Sequence, residues 1–178
     1  MEAQAQPKMT ASVFINKILA GTALGVIVGL IPNAVLSAIL KYFSQYPIAV
    51  TITQIAIIFQ LATPLIIGGL IGLQFGFKPM QMMVVAGACF VASGVVTYNA
   101  ELQKYVGAGT GDLINTMVTA AIAVGMLMVF KDKFGSTAVV AMPIVVGVGS
   151  AFIGLLLLPY VKMITAAIGQ VINEFTTL

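Results

Sequence analysis

The chain has 178 residues, of which 60% are hydrophobic and 7% are charged, with a formal net charge of +3 and a mean hydropathy of +1.11. Soluble domains carry about 25% charged residues, and small domains bury only about two-thirds of their surface, so this composition excludes a water-soluble globule. It also excludes a disordered chain and, because there is no His, zinc, haem and Ser-His-Asp sites.

An integral membrane protein remains, with no catalytic residue, cofactor or metal predicted. Its eight basic residues are scattered lysines rather than a basic face, so nucleic acid is not a predicted partner. Lipid tolerates only helices or closed barrels, and the long apolar stretches favour helices. The predicted fold class is all-α: a polytopic transmembrane helix bundle of about five spans plus a C-terminal amphipathic helix. The spans cover about residues 18–40, 48–73, 80–97, 113–130 and 137–158.

The first two spans contain patterns of small residues and proline. Gly21, Gly25 and Gly29 are spaced every four residues, which predicts a helix face that another helix approaches closely. Pro64 interrupts the second span, and three glycines follow it. A broken helix exposes backbone groups that can hold a substrate, so Gln60, just before the break, is a candidate binding residue. Helix packing is the favoured interpretation of both patterns, because small residues let helices approach each other closely.

The fourth span follows a glycine-rich connector and begins with polar residues. Asp112 is positioned to cap the helix, and residues three, four and seven positions later share its face. Grouped amide, hydroxyl and carboxylate groups suit a sugar or similar polyol. Capping and hydrogen bonding between helices explain the same residues without a ligand. The candidate substrate-binding residues are Gly109, Gly111, Asp112, Asn115, Thr116 and Thr119, with Gln60 from the second span.

The two ends of the chain differ from the spans. Residues 1–17 are predicted to form a flexible or interfacial N-terminal segment, and residues 18–158 a single transmembrane domain. Residues 159–178 place apolar side chains at helical spacing opposite polar ones, which predicts an amphipathic helix on the membrane or against a partner. A sixth, imperfect span is the alternative.

The lysine distribution and the number of spans bear on orientation and assembly. Five lysines fall on one side and three on the other, which favours a cytoplasmic N-terminus. A unit with an odd number of spans forms an inverted repeat when it pairs with a second copy or a homologous half. Many secondary transporters are built in this way, with the substrate between the halves.

Several of these segments together resemble one family, the phosphotransferase-system IIC-like membrane proteins of the second type. The resemblance covers most of residues 18–175. It rests on the glycine-spaced first span, the Gly-Leu-Gln-Phe-Gly-Phe-Lys-Pro connector 72–79, Gly111-Asp112, the Pro-Ile-Val-Val-Gly-Val-Gly stretch 143–149, and Leu157-Leu158-Pro159.

The resemblance implies a multi-pass permease component of the bacterial cytoplasmic membrane that takes part in uptake of a sugar-like solute. A separate IIB-type protein then phosphorylates the solute, which fits the absence of His here. Family members are usually about twice as long, so this chain resembles an N-terminal half. Its expected partners are the lipid bilayer and a second transporter half or another copy in a homo-oligomer.

Two other classes of function remain open. A vitamin-binding S-component of an energy-coupling-factor transporter has about this length, but usually six spans. A membrane scaffold or regulatory protein would use the glycine rows only for assembly.

Overall fold

The structure is a computed structural model that describes residues 9–130 and 133–176. The first eight residues of the predicted flexible tail lie outside the described residues. Residues 131–132 and 177–178 also lie outside them. The described residues form a helical membrane protein, which confirms the predicted all-α transmembrane bundle. Three helices are long and apolar enough to cross a membrane, or up to four spans if one bent pair counts as a single span.

The first helix, α1 (Ala11–Leu40), begins seven residues before the predicted span. Thr10 caps it, because its hydroxyl accepts a hydrogen bond from the Val13 amide. Helix α1 packs along α3 (Thr63–Gln74) through the glycine row. A Cβ atom added at Gly25 would lie 2.6 Å from the Cα atom of Ile67, so only glycine allows this approach. The predicted packing role of the row is therefore confirmed.

The second span is broken, as the sequence predicts. Helix α2 (Pro47–Leu61) and α3 meet at Ala62 and are bent by 47°. Pro64 lies in the first turn of α3, where its missing N–H donor costs no helical hydrogen bond. Helix α2 packs mainly on α1, and among its residues only Ala49 and Ala56 are buried.

The third predicted span differs from the structure. Helix α4 (Pro79–Ala92) has 14 residues, fewer than the about 20 that a helix needs to cross a membrane. A β-hairpin follows it, made of β1 (Val96–Asn99) and the antiparallel β2 (Lys104–Gly107). The rings of Tyr98 and Tyr105 pair across the strands at 5.3 Å between centroids. The helix therefore ends before the apolar segment does.

The last two spans complete the bundle. Helix α5 (Leu113–Phe130) agrees with the predicted fourth span. The short α6 (Ala138–Met142) leads into a π-helical segment (Pro143–Val148) and then α7 (Gly149–Thr176). Helix α7 continues through Pro159, so the predicted C-terminal helix is an extension of the fifth span and no separate sixth span follows among the described residues.

Candidate functional site

The start of α5 is fixed by a tight turn against the end of α4. Gly111 has a positive φ of 67°, and a Cβ atom there would lie 2.6 Å from the Cβ atom of Ser93. The Asp112 amide donates to the Ser93 carbonyl at 2.8 Å. The Asp112 Oδ1 atom accepts from the Asn115 amide at 2.8 Å, which confirms the predicted cap. Gly109 has a positive φ of 68° and is exposed in the connector.

Asn115 joins three helices. Its Nδ2 atom donates to the Ala92 carbonyl of α4 at 2.7 Å and to the Gly154 carbonyl of α7 at 2.9 Å. The neighbouring Thr116 hydroxyl donates to the Asp112 carbonyl of its own helix at 2.8 Å. We call Asp112, Asn115, Thr116 and Thr119 the Asn115 junction; all four side chains are buried. The structure therefore brings together the predicted polar stripe of the fourth span.

The junction also holds the distal part of α7. The Thr165 hydroxyl donates to the Asp112 Oδ2 atom at 2.9 Å. One carboxylate thus caps α5 with one oxygen and holds α7 with the other. This double use of a mostly buried carboxylate ties two helices together outside the apolar core.

The Asn115 junction is closely packed. Asn115 Oδ1 and Thr119 Oγ1 have no hydrogen-bond partner although both atoms are buried. A Cβ atom added at Gly154 would overlap Thr119 Oγ1 and lie 2.6 Å from the Ala92 Cβ atom. Four cavities found in the described part of the chain have linings that include none of the four junction residues. The contacts of this junction are therefore typical of close packing between helices.

Gln60 lies in a different polar cluster, at the break between α2 and α3. Its Oε1 atom accepts a hydrogen bond from Asn33 Nδ2 of α1. Asn33 Oδ1 in turn accepts from the Ser37 hydroxyl at 2.8 Å. The Thr63 hydroxyl donates to the Gln60 carbonyl at 2.6 Å, on the other side of the break. A continuous chain of polar groups therefore runs from the break along α1.

This chain of polar groups leads into a groove between α1 and α2, which we call the α1–α2 groove. Its volume is about 330 Å³, and Ser37 belongs to both the polar chain and the groove wall. The wall is mostly apolar and includes several residues with polar side chains. The lining residues are Ser37, Leu40, Lys41, Ser44, Ala49, Val50, Thr53 and Gln54.

The sequence analysis did not identify Asn33 and Ser37. Both lie on α1, four residues apart, beyond Pro32 in an otherwise apolar span. Two polar residues at this spacing share one helix face, and polar groups inside membrane spans face partners or cavities. That spacing was the available signal.

The described residues contain no group of three or more His, Cys, Asp or Glu side chains that could hold a metal ion. The surface of the α1–α2 groove is mostly apolar, and the polar groups of its lining residues are amide, hydroxyl and ammonium groups, which bind neutral polar or anionic molecules through hydrogen bonds.

A comparison with protein families gives a match over nearly the whole chain. The family model described as "Phosphotransferase system, EIIC" matches residues 16–178. No curated protein and no solved structure matches the chain. The match covers α1 to α7, so it includes both the Asn115 junction and the α1–α2 groove. The chain belongs to the phosphotransferase-system EIIC family.

Proposed function

We propose that this protein is a membrane permease component of a phosphotransferase system and that it binds a sugar-like solute in the α1–α2 groove. The observation that carries the proposal is the position of Ser37. Ser37 lines the groove, and its hydroxyl bonds to Asn33, which bonds to Gln60 at the broken span. Broken spans are common sites of substrate contact in transporters.

The chemistry of the groove supports a polyhydroxylated solute. The Gln54 amide can donate and accept hydrogen bonds, as sugar hydroxyls require. The Ser37 and Thr53 hydroxyls, which donate to Asn33 and to the Ala49 carbonyl, keep acceptor capacity on their oxygens. The ammonium group of Lys41 adds donors at the groove wall. Leu40 and Val50 offer apolar surface to the C–H faces of a sugar ring.

We assign a supporting role to the Asn115 junction. The Asn115 amide group is committed to two backbone carbonyls, and both oxygens of Asp112 accept hydrogen bonds from this chain. Solute contact at Asn115 or Thr119 would require α7, which touches Thr119 at Gly154, to move away from α5. Of the predicted binding residues, Gln60 is the one beside the groove, since it bonds to Asn33.

Other components complete this function. The groove is open along one side of α2, whose residues other than Ala49 and Ala56 are not buried in this chain. A second transporter half or another copy of the chain supplies the opposite wall. A separate IIB-type protein phosphorylates the solute, and the assembly lies in the bacterial cytoplasmic membrane.

Site-directed cysteine labelling tests the proposed groove. Gln54→Cys is placed in the wall, in a chain whose natural Cys89 is fully buried. A membrane-impermeant maleimide is applied to the detergent-solubilised protein with and without a panel of hexoses, pentoses and hexitols. We expect one member of the panel to slow the labelling of Gln54→Cys. Asn16→Cys, on an exposed part of α1, is the control whose rate no sugar changes.

The same reagent tests the orientation proposed from the lysines. Lys104 is exposed in β2 of the hairpin, on the side opposite to the start of α1. We expect Lys104→Cys to react from outside intact cells, because the N-terminus is assigned to the cytoplasm. Reaction only after permeabilisation would reverse the assignment and leave the groove proposal unaffected.

A further inference from the structure

A second cavity lies at the other end of the bundle, where α1 begins and α3 ends. Its volume is about 300 Å³, and one lysine lies in its wall. Apolar side chains and the turn after α3 form the rest of the lining. The lining residues are Met9, Val13, Lys17, Leu73, Gln74, Phe75 and Gly76. We call this space the Lys17 cavity.

The ammonium group of Lys17 is held in place by the protein. Its Nζ atom donates to the Gln74 carbonyl at 2.7 Å and lies 5.3 Å from the centroid of the Phe75 ring. A lysine ammonium has three N–H donors, so two remain for a ligand. The cavity therefore contains a positioned cation, which suits an anionic oxygen group.

The charges around this end of the bundle favour the same ligand. Lys17, Lys78 and Lys133 lie at the ends of α1, α4 and α5 that meet here. The acidic residues of the described ranges, 9–130 and 133–176, lie on the hairpin, at the start of α5 or near the end of α7. An anion at Lys17 thus faces no described carboxylate on the elements that line the cavity.

We propose that the Lys17 cavity binds the phosphate headgroup of an anionic phospholipid. The cavity combines a lysine and other polar groups with the apolar side chains of Met9, Val13 and Leu73, and exposed Leu73 and Met9 continue that apolar surface outward. A phospholipid has the same combination, a phosphate joined to hydrocarbon. Basic pockets between membrane helices on the cytoplasmic side bind anionic headgroups in this way.

Native mass spectrometry of the full chain in detergent tests the proposal, with phosphatidylglycerol as the probe and phosphatidylcholine as the neutral comparison. Removing the charge with Lys17→Gln is expected to weaken phosphatidylglycerol binding about fivefold. The matched control is Lys133→Gln, which removes one lysine at the same end of the bundle but outside the cavity. It should bind like the wild type.

A second variant keeps the charge and fills the space. Val13→Phe should lose phosphatidylglycerol binding although Lys17 remains, because the larger ring occupies the cavity. Wild-type binding by either cavity variant would overturn the proposal and indicate diffuse attraction to lysines. Inorganic phosphate is added in a third arm. If it displaced phosphatidylglycerol at equal concentration, the site would be one for free phosphate and the lipid assignment would be wrong.

Discussion

The Asn115 junction and the α1–α2 groove are both polar clusters in an apolar bundle, yet they are built differently. At the junction one amide group bonds to backbone carbonyls of two other helices, and glycine at 154 brings α7 into direct contact. At the groove, side chains of α1 and α2 bond to one another beside a broken span, and one of them, Ser37, borders an open space of about 330 Å³.

The difference teaches how to separate structural from functional polar groups in a membrane helix. Lipid offers no hydrogen bonds to the backbone. A polar side chain that bonds to the backbone of a neighbouring helix therefore satisfies a group that water would satisfy in solution, and it supports packing. A polar side chain that borders a cavity keeps hydrogen-bonding capacity for a ligand. By this criterion the junction stabilises the bundle, and the groove is the place where we propose that the solute binds.

The largest expected effect concerns the glycine row that packs α1 against α3. Gly25→Ala should lower the unfolding free energy by about 3 kcal/mol, because the new Cβ atom would clash with the Ile67 backbone at 2.6 Å. Unfolding in mixed detergent and dodecyl sulfate micelles measures the change. The matched control is Gly125→Ala, where a Cβ atom would meet no neighbour within 4 Å and stability should hold.

The second-largest effect is expected for Asn115→Ala, which tests the junction directly. We expect a loss of about 2 kcal/mol in unfolding free energy, since the Ala92 and Gly154 carbonyls lose their shared donor. The same unfolding assay applies, with exposed Asn16→Ala as a control that should remain near wild type. Equal stability of the two variants would mean that Asn115 does not join the helices.

A smaller effect is expected where the junction holds the distal part of α7. Thr165→Val removes the hydroxyl that donates to Asp112 Oδ2 and should cost about 1 kcal/mol. Hydrogen exchange should become faster in α7 beyond Pro159 and stay unchanged in α1. Thr51→Val is the control, because its hydroxyl bonds only to the Pro47 carbonyl of its own helix.

The smallest effect is expected at Thr119. Its hydroxyl oxygen is buried without a partner, so Thr119→Val should change the unfolding free energy by less than about 0.5 kcal/mol. The value is read from the same unfolding assay as the glycine variants. A loss above about 1.5 kcal/mol would reveal a hydrogen bond at Thr119 and a more polar junction than the structure describes.

Much of the bundle follows from local patterns in the sequence. Glycine spacing predicts the contact of α1 with α3, Pro64 predicts the break, and Asp112 predicts the start of α5, because each depends on neighbours in the chain. The hairpin after α4 was missed, since hydropathy alone does not separate a short helix plus a strand from one long span.

The candidate site was harder to predict from the sequence. The grouping of Asn115 with Thr119 on one helix face is a local property and was found. The bond from Asn33 to Gln60 joins residues 27 positions apart, and the bonds from Asn115 to Ala92 and Gly154 also cross between helices. Such contacts depend on how helices pack, which a single sequence does not specify.

Equilibrium binding of the sugar that protects Gln54→Cys tests the central claim most directly, with Gln54→Ala and Thr119→Val measured side by side. The account predicts that Gln54→Ala weakens binding about fivefold or more, because a groove hydrogen bond is lost, while Thr119→Val binds like the wild type. Unchanged binding in Gln54→Ala together with lost binding in Thr119→Val would contradict it and assign the solute to the Asn115 junction.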